Sequence, residues 1–402
     1  MEKPNRNPII NGLSRLILLL ALVHGGRPNA RHNWIFFIPI FILCIYSVFF
    51  CAPGNTTSDY AALSSLLNLI LTASDHILLR NHQPEFRKIG QKKGTSEMTF
   101  KERLMWAASL LATPRGIGWA HEPTDQIPPR PTASRRKFIA SQFLWIIFYF
   151  ILWDIAFIPI RDNPCFKIGG PSVAAFGWWQ RTVVWSSILT GYYTMSGMDA
   201  IASIIFVATG LYEPRDCPHV FGSPLNAYTL RKCWGYVLTI SFTLYPHHKN
   251  ILDSRVWHQM LRKNLTSHAN FLANTLHLPR GTFTTYFKLF TAFLISGLLH
   301  AIGEHVFYQN FPEGATVQFF LLQAVGITFE DAVIGIASRL GYKESKAFKM
   351  IGFVWVFAWF TFCIPMWLDS QMHSRKMFQE DLSLVQFLKS FCKSRGIFKM
   401  AT

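Results

Sequence analysis

Charge is what this sequence has little of. Only 15% of its 402 residues are Asp, Glu, Lys or Arg, where a soluble chain carries about a quarter. So few charges cannot coat a globular surface, which disfavours both a water-soluble enzyme and a disordered chain. Acidic residues are the scarcer sign, 22 against 39 Lys and Arg, for a formal charge of +17. Nucleic acid is not the expected partner, because the cations sit between long apolar runs rather than among polar residues. Cysteine is sparse too. The seven are scattered, with no C-x-x-C pair and no Cys/His cluster at ligand spacing, so free thiols are expected and a metal site is not. No P-loop or dinucleotide-binding fingerprint occurs. The stretch His121-Glu122-Pro123-Thr124-Asp125 matches H-x-x-x-D, but it lies in a Pro-rich loop and has no D-F-G-W-G companion, so we read it as coincidence.

Apolar residues are abundant instead: half of the chain, including 36 Phe and 13 Trp. A membrane span needs roughly 20 mostly apolar residues. Runs of about that length occupy Trp34–Ala52, Ala61–Leu79, Phe138–Ile160, Ile188–Leu211, Leu289–Tyr308, Val317–Ser338 and Ile351–Leu368. The fold class expected is all-α, a polytopic membrane protein of about 7–8 transmembrane helices with cytosolic amphipathic helices and loops. A weak anchor, Leu16–Val23, lies in an N-terminal segment 1–33; a main domain follows over 34–368, and then a basic tail over 369–402. Placing the N-terminus, 80–137, 212–288 and 339–350 on one side puts 30 Lys and Arg there, against 3 in the opposite loops. That side is the cytosol. Seven spans leave the tail, with its 6 cations, on the lumenal side, so either it is an amphipathic surface helix or the count is off by one.

Ionisable side chains at membrane depth are costly and mark functional candidates. They are Asp75, His76, Asp154, Asp199, His300, Glu304, His305, Glu330 and Asp331. Asp154 and Asp199 lie near span ends, where snorkelling to water would explain them, and Glu330 with Asp331 and Asp199 would suit a proton-coupled transporter. His300 is the most informative. It is the twelfth residue of its apolar run, about 17 Å along a helix. The small pair Ser296-Gly297 precedes it and Glu304 follows one turn later on the same face, where a carboxylate can orient an imidazole.

Three cytosolic stretches have specific compositions: Thr113-Pro114-Arg115-Gly116-Ile117-Gly118-Trp119 with Glu122; Pro218-His219-Val220-Phe221-Gly222-Ser223-Pro224 continuing to Tyr228-Thr229-Leu230-Arg231 and Trp234-Gly235; and Arg255-Val256-Trp257-His258-Gln259-Met260-Leu261-Arg262. At these residues, together with Ser296-Gly297-x-x-His300, the chain resembles the wax synthase-like branch of the membrane-bound O-acyltransferases, in particular fungal members that acetylate terpenoid-derived natural products. The resemblance runs by motif over 113–305 and by span pattern over most of the chain. It implies an endoplasmic-reticulum acyltransferase that moves acetyl from acetyl-CoA, a co-substrate, to a lipophilic polycyclic alcohol among membrane lipids. No tightly bound cofactor, metal or acyl-enzyme is expected. It makes His300 the base, oriented by Glu304, and Trp257, His258 and Gln259 the family's W-H-Q element. Arg255, Arg262 and Lys263 are candidate ligands for the CoA phosphates. A long-chain wax-ester or sterol-ester synthase would share His300 and need a longer acyl tunnel.

In one place the chain departs from that pattern. Nineteen residues, Tyr236 to Ser254, separate Gly235 from Arg255, where the family runs Trp-Gly directly into Arg-x-Trp-His-Gln. Gly-Tyr-Val can encode a GTATGT donor and Asp-Ser a TAG acceptor, so 236–254 is expected to be a retained intron of 57 nucleotides.

Overall fold

A computed structural model of the chain describes residues 8–26, 32–51, 57–79, 86–112, 116–120, 122, 128–161, 163–167, 170–219, 221, 224–236, 257–308 and 315–372. The helices are α1 (Pro8–Gly25), α2 (Phe37–Ile45), α3 (Thr57–Ser74), α4 (Phe100–Ala112), α5 (Arg135–Arg161), α6 (Trp178–Arg181), α7 (Val184–Thr209), α8 (Leu230–Tyr236), α9 (Trp257–Thr275), α10 (Thr282–Tyr308), α11 (Ala315–Arg339) and α12 (Lys346–Met372). No β-strand occurs among the described residues, which carry one isolated bridge, Lys88 to Trp119. The expected all-α polytopic class holds. The tail over 369–402 and the segment 236–254 lie almost wholly outside the described residues.

Among the described residues six helical segments are long and apolar enough to cross a membrane: Asn33–Phe50, Ala62–Leu79, Arg135–Arg161, Thr282–Phe307, Ala315–Arg339 and Lys346–Asp369. Their outward faces match that role: Phe143, Leu144, Ile147, Phe148 and Ile155 of α5, and Phe329, Val333, Ile334 and Ile336 of α11, are all exposed, and each helix thus carries an apolar face that water would not tolerate. The expected span over 188–211 is present as α7, 26 residues long, but it is too polar to join the six. Its hydroxyls turn inward and bond to its own backbone, Thr190 to the Ser187 carbonyl (2.9 Å), Thr194 to Thr190 (2.8 Å) and Ser196 to Tyr192 (2.8 Å). A helix so satisfied tolerates lipid despite its composition. The weak N-terminal anchor becomes α1, whose apolar stretch Ile9–Gly25 is shorter than a span and whose Leu18, Ala21, Leu22 and Val23 are buried.

The chain divides into two compact units, one of residues 1–127, 224–239 and 256–356, the other of 128–223, 240–255 and 357–402. In the first, Leu22 and Val23 of α1 meet Phe86, Trp106, Ala107 and Leu110 around Trp119. The local chain explains that position. Gly116 and Gly118 have φ of 65° and 80°, a left-handed conformation that disfavours any side chain. Trp119 N–H donates to the Gly116 carbonyl (2.9 Å), and Gly118 N–H to the Glu122 carboxylate (2.6 Å). Gly116-Ile117-Gly118-Trp119 is therefore a tight turn that inserts a tryptophan into the core.

In the second unit α5 lies along α7. Arg135 donates to the Val207 and Ala208 carbonyls (2.5 and 3.1 Å), placing a cation at the negative end of α7. Asp154 does not snorkel to water: it is buried and paired with Arg161 at 3.0 Å. His219 sets its ring edge-on to Trp145 (5.7 Å), and Phe221 stacks on Tyr192 (4.7 Å). Asp369 accepts from Ser172 Oγ (2.5 Å) and from the Val173 and Ala174 N–H groups (2.8 and 3.2 Å), fixing the loop before α6.

Candidate functional site

The site lies in the first unit, where α10 and α11 pack together. Their close approach depends on Gly297: a Cβ there would stand 3.1 Å from Phe320 Cβ and 3.2 Å from Val317 Cα. His300, three residues on, therefore comes within ring-contact distance of α11. Its imidazole is buried and lies 4.7 Å from the Phe320 ring at a 38° tilt.

The hydrogen bond at Nδ1 bears on the tautomer of that imidazole. Nδ1 lies 2.9 Å from the Ser296 carbonyl oxygen, which can only accept, so Nδ1 carries the proton. In the neutral ring Nε2 then holds the lone pair and is the basic nitrogen. At Nδ1 the orienting acceptor is a backbone carbonyl one turn back. Glu304, fully buried one turn further on, accepts from Thr316 Oγ1 at 2.5 Å. Its carboxylate ties α10 to the start of α11.

Phe320 is enclosed in turn. Phe319 stands edge-on to it (5.3 Å), and Trp234 of α8 approaches it at 6.1 Å while itself meeting Phe293 of α10 edge-on (5.4 Å). The Trp234 indole N–H points to the side-chain oxygen of buried Gln323 at 3.4 Å, and the Gln323 amide donates to the Phe319 carbonyl (3.0 Å). The Trp-Gly stretch after Leu230-Arg231 thus reaches the histidine layer through one intervening ring. Sequence reasoning named Trp234 without a role and missed Phe320, Gln323 and Thr316. An amide and a hydroxyl within an apolar run were the available signals for the last two.

The W-H-Q element opens α9. Trp257, His258, Gln259 and Arg262 lie on this helix, but their side chains fall outside the described residues, and Arg255 lies outside them altogether. Leu261, Asn264, Leu265 and Ala269 are buried along one face of α9, the spacing of an amphipathic helix. Asn264 Nδ2 donates to Thr72 Oγ1 of α3 (2.9 Å), and His268 Nε2 meets Ser74 Oγ (2.9 Å). Lys263 Nζ stands 4.7 Å over the Phe86 ring, a cation–π contact.

The acidic pair Glu330 and Asp331 is engaged as well. Glu330 accepts from the Leu230 and Arg231 N–H groups (2.6 and 3.4 Å) and from the Trp355 indole (3.1 Å). Asp331 pairs with Arg231 (2.5 Å) and accepts from Tyr286 (3.2 Å). Those contacts are anchors for α8, which leaves the transporter reading without support from these two residues. Nearby, in the turn before α12, Lys349 and then Tyr228 hold the exposed Glu344 carboxyl below its ordinary range. No group of three or more His, Cys, Asp or Glu that could hold a metal occurs among the described residues.

Comparison with known sequences matches residues 253–322 to the membrane bound O-acyl transferase family. That interval takes in α9, α10 and the start of α11, and so contains His300, Gly297 and Phe320. The chain is similar along most of its length to acetyltransferase eriL of Hericium erinaceus, 30% identical over 378 residues that cover 90% of this chain and 91% of the relative. It is similar also to acetyltransferase ple2 of Rhodocybe pseudopiperita, 31% identical with 89% of each covered. Acetyltransferase spyB of Aspergillus fumigatus is 25% identical, covering 89% of this chain and 63% of the relative.

Proposed function

Because the chain belongs to the membrane bound O-acyl transferase family and is an acyltransferase, we propose that it moves an acetyl group from acetyl-CoA to a hydroxyl of a lipophilic terpenoid or meroterpenoid, at the endoplasmic reticulum. The observation that carries this reading is His300: an imidazole on a membrane-spanning helix, its Nδ1–H held by the Ser296 carbonyl so that Nε2 is the basic nitrogen. The acetyl donor is supported by relatives named acetyltransferases over nine-tenths of their length. The terpenoid acceptor is supported by the motif resemblance and by the apolar, aromatic surroundings of the histidine.

In this mechanism Nε2 takes the hydroxyl proton as the alcohol oxygen bonds to the acetyl carbon. The carbon–sulfur bond then breaks and the imidazolium returns the proton to the departing CoA sulfur. Burial against Phe320, which Phe319 and Trp234 back in turn, suits an apolar alcohol and keeps the reacting carbonyl from bulk water. On the donor side, Lys263 is the described cation nearest the W-H-Q element, and with Arg255 and Arg262 it would meet the CoA phosphates.

The test is microsomal membranes bearing the protein, given labelled acetyl-CoA or palmitoyl-CoA with a panel of terpenoid alcohols and sterols. The expected product is an acetyl ester of a polycyclic alcohol. Palmitoyl esters as the main product, or no ester with any alcohol that the strain's own extracts supply, would overturn the reading.

A further inference from the structure

The proposed chemistry does not use Glu330, a carboxylate that is mostly buried on a membrane-spanning helix. Its surroundings give it another task. Three donors converge on it, the Leu230 and Arg231 N–H groups and the Trp355 indole, so an apolar replacement would leave the first turn of α8 without its acceptor. The chain just before α8 is pressed onto α12: a Cβ added at Gly352 would collide with the Tyr228 carbonyl. Arg231 adds its pair with Asp331. Contacts from α11 and α12 thus fix this seven-residue helix.

Along α11, Phe320, Gln323, Ile327 and Glu330 follow one another at spacings of three and four residues, one face of the helix, and all are buried. α8 docks along that face. Leu230 binds Glu330 at one end, and Trp234, one turn later, binds Gln323 and stands against Phe320 at the other. Phe320 in turn covers His300. We propose that Glu330 is a positioning residue: it holds α8 so that Trp234 keeps the Phe320 ring over His300, and this aromatic cover excludes water from the reacting thioester. The inference rests on the acetyl-transfer reading above.

Its consequence is a partition. When the cover is loose, a water oxygen bonds to the acetyl carbon, the carbon–sulfur bond breaks, and a water proton passes by way of the imidazole to the CoA sulfur, releasing acetic acid and the free thiol. The ratio of acetate released to ester formed therefore reads the cover directly. Loss of fold lowers both products and leaves that ratio alone.

The experiment uses the full chain in membranes with labelled acetyl-CoA and the alcohol that the wild type acetylates. Trp234→Leu and Glu330→Ala are expected to raise the acetate-to-ester ratio at least about fivefold, through admitted water. Glu330→Gln keeps a carbonyl acceptor for Leu230 N–H and is expected to stay within about twofold of the wild type. An unchanged ratio in Trp234→Leu overturns the proposal, as does a Gln variant as impaired as the Ala variant, which would assign the role to charge rather than to acceptance. If Glu330→Ala does not accumulate, the Trp234 and Gln variants decide. A wild type that forms no acetyl ester removes the parent reading, and this one with it.

Discussion

At the scale of single residues, Gly297 and His300 divide the work between packing and chemistry. Gly297 has no room for a side chain, with Phe320 Cβ and Val317 Cα at 3.1 and 3.2 Å from where a Cβ would stand. We expect Gly297→Ala to keep the protein in the membrane while lowering ester formation about tenfold, since a misplacement of a few tenths of an ångström at the reacting centre suffices; Gly297→Leu should abolish accumulation. Detergent-extracted protein level and labelled-ester yield check both. His300 was legible in the sequence because a histidine inside a 20-residue apolar run is conspicuous, and the Ser-Gly pair before it announced close helix contact. Phe320 was not legible, because nothing distinguishes a phenylalanine facing a histidine from the many that face lipid. The acceptor at Nδ1 was hidden for a different reason: every helical residue has a carbonyl one turn behind it, and only the rotamer decides whether it is used.

Helices show a second limit on what sequence reveals. α7 was an expected span from its apolar run, yet it is too polar to join the six, and its hydroxyls bond within the helix. Conversely, α9 looked like a surface helix from its amphipathic pattern, and its polar residues instead bind α3. Asn264 is buried and donates to Thr72. Replacing Asn264 with Ala should cost about 1 kcal/mol of stability, the size of an interhelical hydrogen bond in a membrane protein, read as a lowered unfolding midpoint in detergent. Unchanged stability would mean that the α3–α9 contact is carried by packing alone. Motif stretches divide in the same way: Gly116-Ile117-Gly118-Trp119 is accounted for by left-handed glycines and a core tryptophan, whereas Trp234 belongs to the histidine layer. No spacing rule separates those two outcomes, because both are set by long-range contacts.

For the whole molecule, the scarcity of charge and its distribution were the most readable features, and the polytopic all-α class follows from them. The 30-to-3 partition of cations was drawn with a span over 188–211; without that span the 9 Lys and Arg of 212–288 would fall on the same side as 161–187. The family match begins at residue 253, close to the downstream border of the proposed intron. We expect cDNA from the source organism to lack 57 nucleotides there, so that Gly235 is followed by Arg255; a major transcript that retains them would make the segment a true insertion. The central claim, however, concerns the imidazole. It is tested most directly by comparing wild type and His300→Ala, matched for membrane content, in acetyl transfer from labelled acetyl-CoA to the accepted alcohol. The account predicts a loss of ester formation of at least about a thousandfold in the variant, with the protein still inserted. Ester formation within tenfold of the wild type would contradict it.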